Sequence, residues 1–590
     1  MPQRIEACSS VAFGAAVAIS PARVILLQTM QKATRSTSAR RVRKRAVPES
    51  KLHPARSARL VLIVATAVCF APFVGKAFNI DDPLFIWVAQ QVVHHPLNPY
   101  GFSVVWYSSS MPMSEVMKNP PLASYYAALV GPWTNWSEFA LHLAFWIPAA
   151  AVILATYELA RSLTGNPVLA ALFTLSAPAF LTSGTTVMCD VAMLALWMLA
   201  VLAWHRGLSR GRGYYFALSS IFITFSALTK YFGACLIPLL LAYSLIKRRR
   251  IGSWALYFLI PITALTCYQL WTRALYGRGL LLDAVQYAQV VRLEKSSRLV
   301  SLLTGLSFTG GCMLPTLIMG PLIMRWRWIA GAVVLAIPSA IAIALTGTVS
   351  PPDRTWLAVK LVPFIAGGII TLALTVADVW RHRDAESTLL CLWVVGAFVF
   401  AALLNWTVNA RSVLPLVPAS AILICRGMDD LQRSRPPALW KIALPVSLCL
   451  LVTLMLASAD SALANSSREA AQTVYQQLET GGNRIFFTGH WGFQYYMQAL
   501  GARPLDAMKS DFTADDVVVQ PENNSNLPTF SPEVIASGEL IEVDVNPWVT
   551  PQRGDMGAGF FASEFGPLPF AFGLVPPERY WILHFKSGPP

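Results

Sequence analysis

Apolar runs of membrane-spanning length recur along most of this 590-residue chain, and they constrain its fold more than any other feature. A helix crosses the hydrocarbon core of a bilayer with about 20 predominantly apolar residues. Hydrophobic residues make up 55% of the chain and charged residues only 13%, about half the charged share of a soluble protein. The sequence therefore predicts a polytopic membrane protein.

We expect about thirteen spanning helices, because that number of apolar runs can be separated along the chain. They lie near residues 60–76, 138–160, 167–184, 188–205, 214–230, 231–246, 254–271, 299–324, 329–347, 358–380, 388–404, 412–425 and 440–457. The preceding residues 1–59 form a basic tail, which we expect to be disordered and cytoplasmic, and the start codon could be Met1 or Met30. The polar residues 458–590 predict a separate small domain.

Basic residues in short loops account for the formal net charge of +15. Such loops are typical of the cytoplasmic side of a membrane and of contact with anionic lipid headgroups. We therefore expect membrane lipids and no nucleic acid as partners. Alternation of thirteen spans then places the 77–137 loop and the 458–590 region outside. The basic loop at about 272–298 breaks the pattern, so either the count of spans fails there or its cations bind an anion.

The two predicted outside segments carry local patterns of their own. In the 77–137 loop, "DPLFIWVAQQVVHH" spaces Phe85, Val88, Ala89 and Val92 along one helical face, which predicts an amphipathic helix. In the 458–590 region, "NRIFFTG", "DVVVQ", "LIEVDV" and "YWILHF" predict strands, and "GFQYYMQALG" predicts a short helix. We expect an α/β domain, with His490 in a structural role.

Several ionisable residues that basic loops do not explain fall on the predicted outer face. Such groups at a membrane face are functional hypotheses. For an acid the alternative is a helix cap, and for a cation it is a side chain that reaches the interface. The residues are Asp81, Asp82, Glu115, Lys118, Asp190, Lys230 and Arg411.

Carboxylates and cations at one membrane face suit a reaction on a lipid-linked phosphate. A carboxylate can take the proton of an acceptor hydroxyl, while Lys and Arg stabilise the phosphate that leaves. Asp81 and Asp82 are the candidates for this base or for a metal ligand. A divalent cation is left open, with Asp82, Glu115 and Asp190 as its candidate ligands.

Five motifs give residues 60–457 a resemblance to a known family. They are "NIDDPLF", "NPPLASYY", "MCDVAML", "LTKYFG" and "NARSVLPLVP". The chain resembles membrane glycosyltransferases of the GT-C fold, specifically bacterial members of glycosyltransferase family 39. These are relatives of dolichyl-phosphate-mannose protein mannosyltransferases and of the aminoarabinose transferase that modifies lipid A. The family usually has Asp-Glu where this chain has Asp81-Asp82, and its prolyl turn often begins with His where this chain has Asn119.

The resemblance implies a role for each matching residue. Asp81 would be the general base, with Asp82 supporting it, and Asp190 would orient the acceptor or hold a metal. Lys230 and Arg411 would bind the phosphate of a polyprenyl-phosphate sugar. The resemblance also implies an all-α polytopic membrane domain with a small extracytoplasmic α/β domain, in a bacterial inner membrane.

Further pocket residues implied by the resemblance are Glu115, Lys118 and Asn119. The implied reaction is direct displacement at the anomeric carbon with inversion, on the extracytoplasmic side. The lipid-linked sugar is the donor substrate, no other cofactor is assigned, and the acceptor is a protein, lipid A or another glycan. Two other classes stay open: a transporter or flippase, and an assembly protein whose 458–590 region binds a partner.

Overall fold

The computed structural model describes residues 55–295, 297–346, 353–434, 437–478, 484–509 and 512–586. Predictions for the basic tail before residue 55 and for the start codon lie outside these residues. Within them, the chain is mostly helical, with its strands in the 77–137 loop and after residue 484.

The α-helices are numbered in chain order. They are α1 Ala55–Phe70, α2 Asp82–His94, α3 Met113–Val116, α4 Leu122–Ala128, α5 Glu138–Leu163, α6 Pro167–Leu175, α7 Pro178–Gly184, α8 Cys189–Arg210, α9 Gly213–Thr229, α10 Leu236–Arg248, α11 Leu259–Tyr276, α12 Leu280–Lys295, α13 Arg298–Cys312, α14 Leu314–Ile323, α15 Trp326–Ala344, α16 Arg354–His382, α17 Ala385–Val399, α18 Ala410–Val413, α19 Val417–Ser434, α20 Trp440–Leu478 and α21 Trp491–Ala499.

The predicted polytopic helical fold is confirmed. In the described part of the chain, ten helices are long and apolar enough to cross a membrane. Two further predicted spans are bent pairs, α6 with α7 at 63° and α13 with α14 at 80°, and α9 is a shorter apolar helix. These thirteen elements match the thirteen predicted runs in order. The bends fall where Pro178 and Pro315 lack the N–H that a continuous helix would need.

The segment Ala410–Arg433 is the most enclosed span, with 94% of its apolar window buried. Its sequence is apolar on every side over "SVLPLVPASAILIC", which is typical of a helix surrounded by other helices. Arg411 stands at the start of this segment. The central helix of the bundle therefore fixes the position of that cation.

The 77–137 loop is folded. The predicted amphipathic helix is α2, and Phe85, Val88, Ala89 and Val92 are all buried in it as expected. After α2 the chain forms an antiparallel hairpin of β1 Ser103–Val105 and β2 Ser110–Pro112, followed by α3 and α4.

The C-terminal region confirms the predicted mixture of strands and helix. Its strands are β3 Ile485–Phe487, β4 Arg503–Pro504, β5 Val517–Pro521, β6 Ile535–Val543, β7 Val549–Thr550, β8 Gln552–Arg553, β9 Ala558–Gly559, β10 Ala571–Phe572 and β11 Glu578–Phe585. Five form a sheet in the order β4-β3-β5-β11-β6, in which β3 runs parallel to β4 and β5. Helix α20 continues to Leu478, through the expected boundary at 457–458.

Candidate active site

Asp81 and Arg411 form an ion pair at one end of the helical bundle. Nη1 of Arg411 donates to Oδ2 of Asp81 at 2.7 Å. The Asp81 side chain keeps 30% of its surface exposed, whereas Arg411 keeps 11%. Ile80, directly before Asp81, has a φ of 51°, a conformation that is strained for a β-branched residue. Such strain is common at functional sites, where the surrounding structure enforces it.

The Arg411 guanidinium has more donors than the ion pair uses. Asn409 starts α18 with a capping box to Ser412, which fixes the backbone that carries Arg411. The guanidinium lies over the ring of Phe561, with its central carbon 5.7 Å from the ring centroid. Its Nε is buried and makes no hydrogen bond within the described residues. This spare donor leaves Arg411 able to bind a second anionic group.

Asp190 and Lys230 form a second ion pair beside the first. Asp190 lies in the first turn of α8 and is buried, and Lys230 follows the last residue of α9. Their Nζ and Oδ1 atoms are 2.5 Å apart, and the Lys230 side chain is 20% exposed. Asp81 and Asp190 both lie within electrostatic reach of Arg411. The four predicted residues therefore come together as one cluster of two cations and two carboxylates.

Asp82 lies beneath this cluster rather than in it. Its side chain is buried, and its two oxygens accept backbone N–H groups of Val187 at 2.8 Å and Asn79 at 3.0 Å. Burial raises the pKa of Asp82 to about 7, although the nearby Lys76 opposes this shift. The carboxyl group thus ties the start of α2 to the turn before α8. Its predicted part as a supporting base stays a prediction.

A buried ion pair that the sequence did not suggest lies next to Asp82. Lys76 Nζ contacts the carboxylate of Asp460 and also the hydroxyl of Thr185, the latter at 3.3 Å. The side chains of Lys76 and Asp460 are fully buried. Asp460 was missed because the last span was ended at residue 457, whereas α20 continues past it. The sequence did contain one indication of this residue, because Asp460 is an acid within a helix that stays apolar along one side.

The three remaining predicted residues lie where the 77–137 loop meets α12, and they are Glu115, Lys118 and Asn119. Glu115 is 3.3 Å from Arg278, and Lys118 is 2.8 Å from Asp283. The backbone oxygen of Asn119 accepts the hydroxyl of a tyrosine, Tyr100. Arg278, one of the cations in the loop that broke the charge pattern, therefore binds a carboxylate of the protein itself.

An aromatic bridge connects this second group to the ion-pair cluster. Lys118 lies over the Tyr287 ring at 4.9 Å from its centroid. Tyr107 interacts with Tyr287 and lies within electrostatic reach of Asp81. All the predicted site residues thus fall at one end of the bundle, in two neighbouring groups.

The candidate metal ligands Asp82, Glu115 and Asp190 do not gather around one point. Within the described ranges, no three side chains of His, Cys, Asp or Glu are close enough to hold a metal ion together. Asp82 is occupied by two backbone N–H groups, and the other two acids each pair with a cation. We assign no metal to them.

The C-terminal region also builds the site, which sequence patterns did not reveal. The backbone oxygen of Phe560 accepts the N–H of Ala410 at 2.9 Å, next to Arg411. On the other side, the Tyr496 hydroxyl accepts the N–H of Phe78 at 2.7 Å. At Gly492 an added Cβ would lie 2.1 Å from the oxygen of Phe78, so only glycine permits this close approach.

The chain is a multi-span helical bundle with a charged site at one end, and part of its sequence matches a family of glycosyltransferases. More particularly, the family model described as dolichyl-phosphate-mannose-protein mannosyltransferase matches residues 118–271. That range contains Lys118, Asn119, Asp190 and Lys230. The match confirms the resemblance inferred from the sequence motifs over this part of the chain, about a quarter of its length.

Solved structures of two other membrane proteins are similar to the chain. ArnT from Cupriavidus metallidurans in the apo state is 14% identical, with 80% of this chain and 94% of ArnT covered and a TM-score of 0.37. The same protein bound to undecaprenyl phosphate gives 13% identity, the same coverage and a TM-score of 0.39. Arabinosyltransferase EmbB from Mycobacterium smegmatis is 15% identical, with 91% of this chain and 50% of EmbB covered and a TM-score of 0.32. No curated protein sequence matches the chain.

Proposed function

We propose that this protein transfers a sugar from a polyprenyl-phosphate-linked donor to an extracytoplasmic acceptor, with inversion at the anomeric carbon. The observation that carries the proposal is the Asp81–Arg411 ion pair at 2.7 Å, with Lys230 and Asp190 beside it. This cluster supplies a partly exposed carboxylate and two cations at one end of a membrane bundle. One of the similar solved structures is that of ArnT bound to undecaprenyl phosphate, a lipid of the same chemical class.

The first step is an exchange of anions on the two cations. A phosphate at the cluster competes with Asp81 for Arg411 and with Asp190 for Lys230. Charge-assisted hydrogen bonds from a guanidinium to phosphate are strong and are often bidentate. The unpartnered Nε of Arg411 adds a donor for this purpose. Donor binding therefore releases Asp81 from its ion pair.

The released Asp81 then acts as the general base. It takes the proton of an acceptor hydroxyl as the hydroxyl oxygen attacks the anomeric carbon. The bond from that carbon to the phosphate oxygen breaks, and the electron pair leaves with polyprenyl phosphate. Arg411 and Lys230 stabilise the charge that develops on the leaving phosphate. Attack from the face opposite the phosphate inverts the configuration.

The other predicted residues support this cluster. Asp190 holds Lys230 in place before the donor arrives, and Asp82 fixes the backbone that carries Asp81. Glu115, Lys118 and Asn119 line the approach from the 77–137 loop. The acceptor hydroxyl belongs to a protein, to lipid A or to another glycan.

The direction of the helices supports an extracytoplasmic site. Asp190 lies in the first turn of α8, and Arg210 lies in its last turn, so the two are at opposite ends of one span. Helices α10 and α16 likewise end on basic residues, Lys247 and Arg381 among them. Basic helix ends are typical of the cytoplasmic face. The candidate site then faces the extracytoplasmic side. A sugar donor that is carried by a lipid needs no nucleotide there.

Two bent spans favour a second candidate, a carrier, because transporters often build their sites from broken helices. The breaks occur at Ser176-Ala177 and at Met313, and none of these residues is ionisable. In transporters, substrate and coupling ions bind at such breaks near the middle of the membrane. The charged cluster lies instead at the end of the bundle, which favours the transferase.

The test uses the purified full chain in lipid nanodiscs with a panel of polyprenyl-phosphate sugars and bacterial membrane extract. Release of free polyprenyl phosphate is followed by mass spectrometry. A transferase releases it from at least one donor and transfers the sugar to an extract component. Movement of an intact donor across a proteoliposome membrane, without release, would instead establish the carrier.

A further inference from the structure

A small cavity lies between the C-terminal sheet and the 77–137 loop, apart from the ion-pair cluster. Its volume is about 40 Å3. Residues that directly follow β3 and β4 line one side of it, and Val105 and Ser108 from the first hairpin line the other. Ligands of open α/β sheets bind beyond the carboxyl ends of the parallel strands, where neighbouring connections diverge. After β3 the chain runs to β4 at one edge of the sheet, and after β5 it runs to β6 at the opposite edge. Neighbouring connections therefore diverge between β3 and β5.

Two buried side chains that line the cavity have unused hydrogen-bonding capacity. The Thr488 hydroxyl makes no hydrogen bond within the described residues, and at most one ring nitrogen of His490 reaches a partner there, the side chain of Gln494. Thr488 is 6% exposed and His490 is 3% exposed. Buried polar groups are almost always paired with protein, water or ligand. These groups are therefore available to something that enters the cavity.

The His490 ring is held in place and is uncharged. It stacks on Trp106 with centroids 4.9 Å apart, and Gln494 lies beside it. Burial lowers the pKa of His490 to about 4, so the imidazole is neutral at neutral pH. A neutral imidazole presents one donor and one acceptor. His490 was predicted to have a structural role, and this geometry adds a second one.

Backbone strain is concentrated around the same cavity. Ser108, Trp491 and Asn526 have φ values of 63°, 64° and 54°, in the left-handed region that favours glycine. Ser108 and Asn526 line the cavity and are joined by a 3.1 Å hydrogen bond, while Trp491 follows His490. Strain of this kind clusters at ligand clamps and active sites. Two such residues line the cavity and a third follows His490, so the backbone around the cavity is held in a defined conformation.

We infer that this cavity binds the hydroxymethyl or hydroxyl arm of a neutral sugar. None of the residues that line it is Asp, Glu, Lys or Arg, so it has no charge to compensate a phosphate or a carboxylate. Thr488 and His490 can each donate and accept hydrogen bonds, as sugar hydroxyls do. The Ser108 hydroxyl donates to the backbone oxygen of Asn526 and can still accept. About three water molecules would fill the volume at 10–15 Å3 each, which suits a hydroxymethyl group. The sugar ring then lies at the mouth, next to Ala507.

The position of the cavity suggests which carbohydrate it takes. Trp106 stacks on His490, and the next residue, Tyr107, lies within electrostatic reach of Asp81. A glycan held here would thus extend towards the ion-pair cluster. We assign the cavity to the acceptor glycan, a step that rests on the proposed function. Binding of a sugar in the cavity does not require that function.

The test is saturation-transfer NMR on the purified full chain, without any donor. The probes are methyl α-glucoside, methyl α-mannoside and N-acetylglucosamine, with glucose 6-phosphate as the charged comparison. We expect at least one neutral sugar to bind and glucose 6-phosphate not to bind. Thr488→Val, which keeps the shape and removes the hydroxyl, weakens binding about fivefold, because one hydrogen bond to the sugar is lost. Thr529→Val, at an exposed threonine, is the matched control.

A second variant covers the case in which Thr488→Val does not fold. Ala507 is exposed at the mouth, and Ala507→Tyr closes the cavity without touching the core. It should abolish the neutral-sugar signal while the melting temperature stays unchanged. Equal binding by the wild type and both variants, or no binding by the folded wild type, overturns the inference. Sugar binding without transferase activity would contradict only the proposed function, and transfer without this binding would contradict only the inference.

Discussion

Arg411 donates to Asp81 at 2.7 Å although 330 positions separate them in the sequence. The contact joins the loop after the first span to the start of the central, most enclosed helix. Because Arg411 also reaches Asp190 electrostatically, it is the centre of the candidate site. Its replacement should therefore affect donor use more than any other single change of a cation.

The first prediction concerns Arg411→Lys. Lysine keeps the charge but loses the planar fork that binds a phosphate through two parallel bonds. We expect kcat/KM for the donor to fall about 10- to 100-fold, since a charged hydrogen bond is worth about 1.5–3 kcal/mol. Steady-state kinetics of polyprenyl phosphate release measure it. Arg381→Lys, at an exposed arginine of α16, is the control and should leave kcat/KM unchanged.

A second prediction concerns the buried pair Lys76–Asp460. Lys76→Met leaves a buried carboxylate without its partner, which costs about 3–5 kcal/mol in proteins. We expect a large drop in melting temperature, measured by differential scanning fluorimetry in detergent. The double variant Lys76→Met/Asp460→Leu should recover much of the loss, because both charges are then absent. Lys441→Met, outside this pair, is the control; equal melting temperatures for Lys76→Met and wild type would refute the pair's importance.

The third prediction concerns the close approach at Gly492. A methyl group there would lie 2.1 Å from the Phe78 oxygen, so Gly492→Ala must displace the backbone that leads to Asp81. We expect transferase activity to fall at least tenfold while the helical bundle still inserts and melts cooperatively. Gly538→Ala serves as the comparison, since its added Cβ meets neighbours no closer than 3.5 Å. Full activity in Gly492→Ala would show that the C-terminal region does not position Asp81.

The fourth prediction is a pH dependence in the C-terminal region. Burial raises the pKa of Glu578 from its usual 4.5 to about 7, against the opposing charge of Arg553. Between these values the folded protein holds a proton that the unfolded chain has lost. The contribution of Glu578 to the free energy of unfolding therefore grows as pH falls from about 7 to about 4.5, by about 1.4 kcal/mol per pH unit.

Melting temperatures between pH 4.5 and 8 measure this dependence. Glu578→Gln should remove the part of the slope of melting temperature against pH that this residue contributes, because a glutamine does not titrate. Glu542→Gln, at a glutamate with 46% of its side chain exposed, should keep the slope of the wild type. Identical slopes in wild type and Glu578→Gln would contradict the assignment.

The spans and the main site cations were accessible from sequence because both follow from local chemistry. Apolar periodicity fixes the helices, and a charge between two apolar runs is conspicuous, as at Lys230. The pairing of Asp81 with Arg411 was not accessible, because it joins distant segments through the packing of the bundle. The burial of Asp82 was missed for a related reason, since two adjacent acids look equivalent until their backbone environment is known.

The contribution of the C-terminal region was the largest omission. Its strands and short helix were predicted one by one from alternating and helical patterns. Nothing in those patterns shows that Phe560 pairs with Ala410 or that Gly492 meets Phe78, because such contacts depend on the tertiary arrangement. Lys76 was overlooked because a lysine at the end of a span ordinarily lies at the interface between membrane and water.

Donor binding and turnover of Asp81→Asn, each compared with the wild type, would separate the base from the phosphate site. Asp555→Asn, at an acid with 62% of its side chain exposed, is the control. We expect Asp81→Asn to lower kcat by about 10²- to 10⁴-fold, the usual contribution of a general base. We also expect donor binding to be unchanged or tighter, because Asp81 no longer competes with the phosphate for Arg411. Turnover by Asp81→Asn at the rate of the wild type, with the donor bound equally well, would contradict the account.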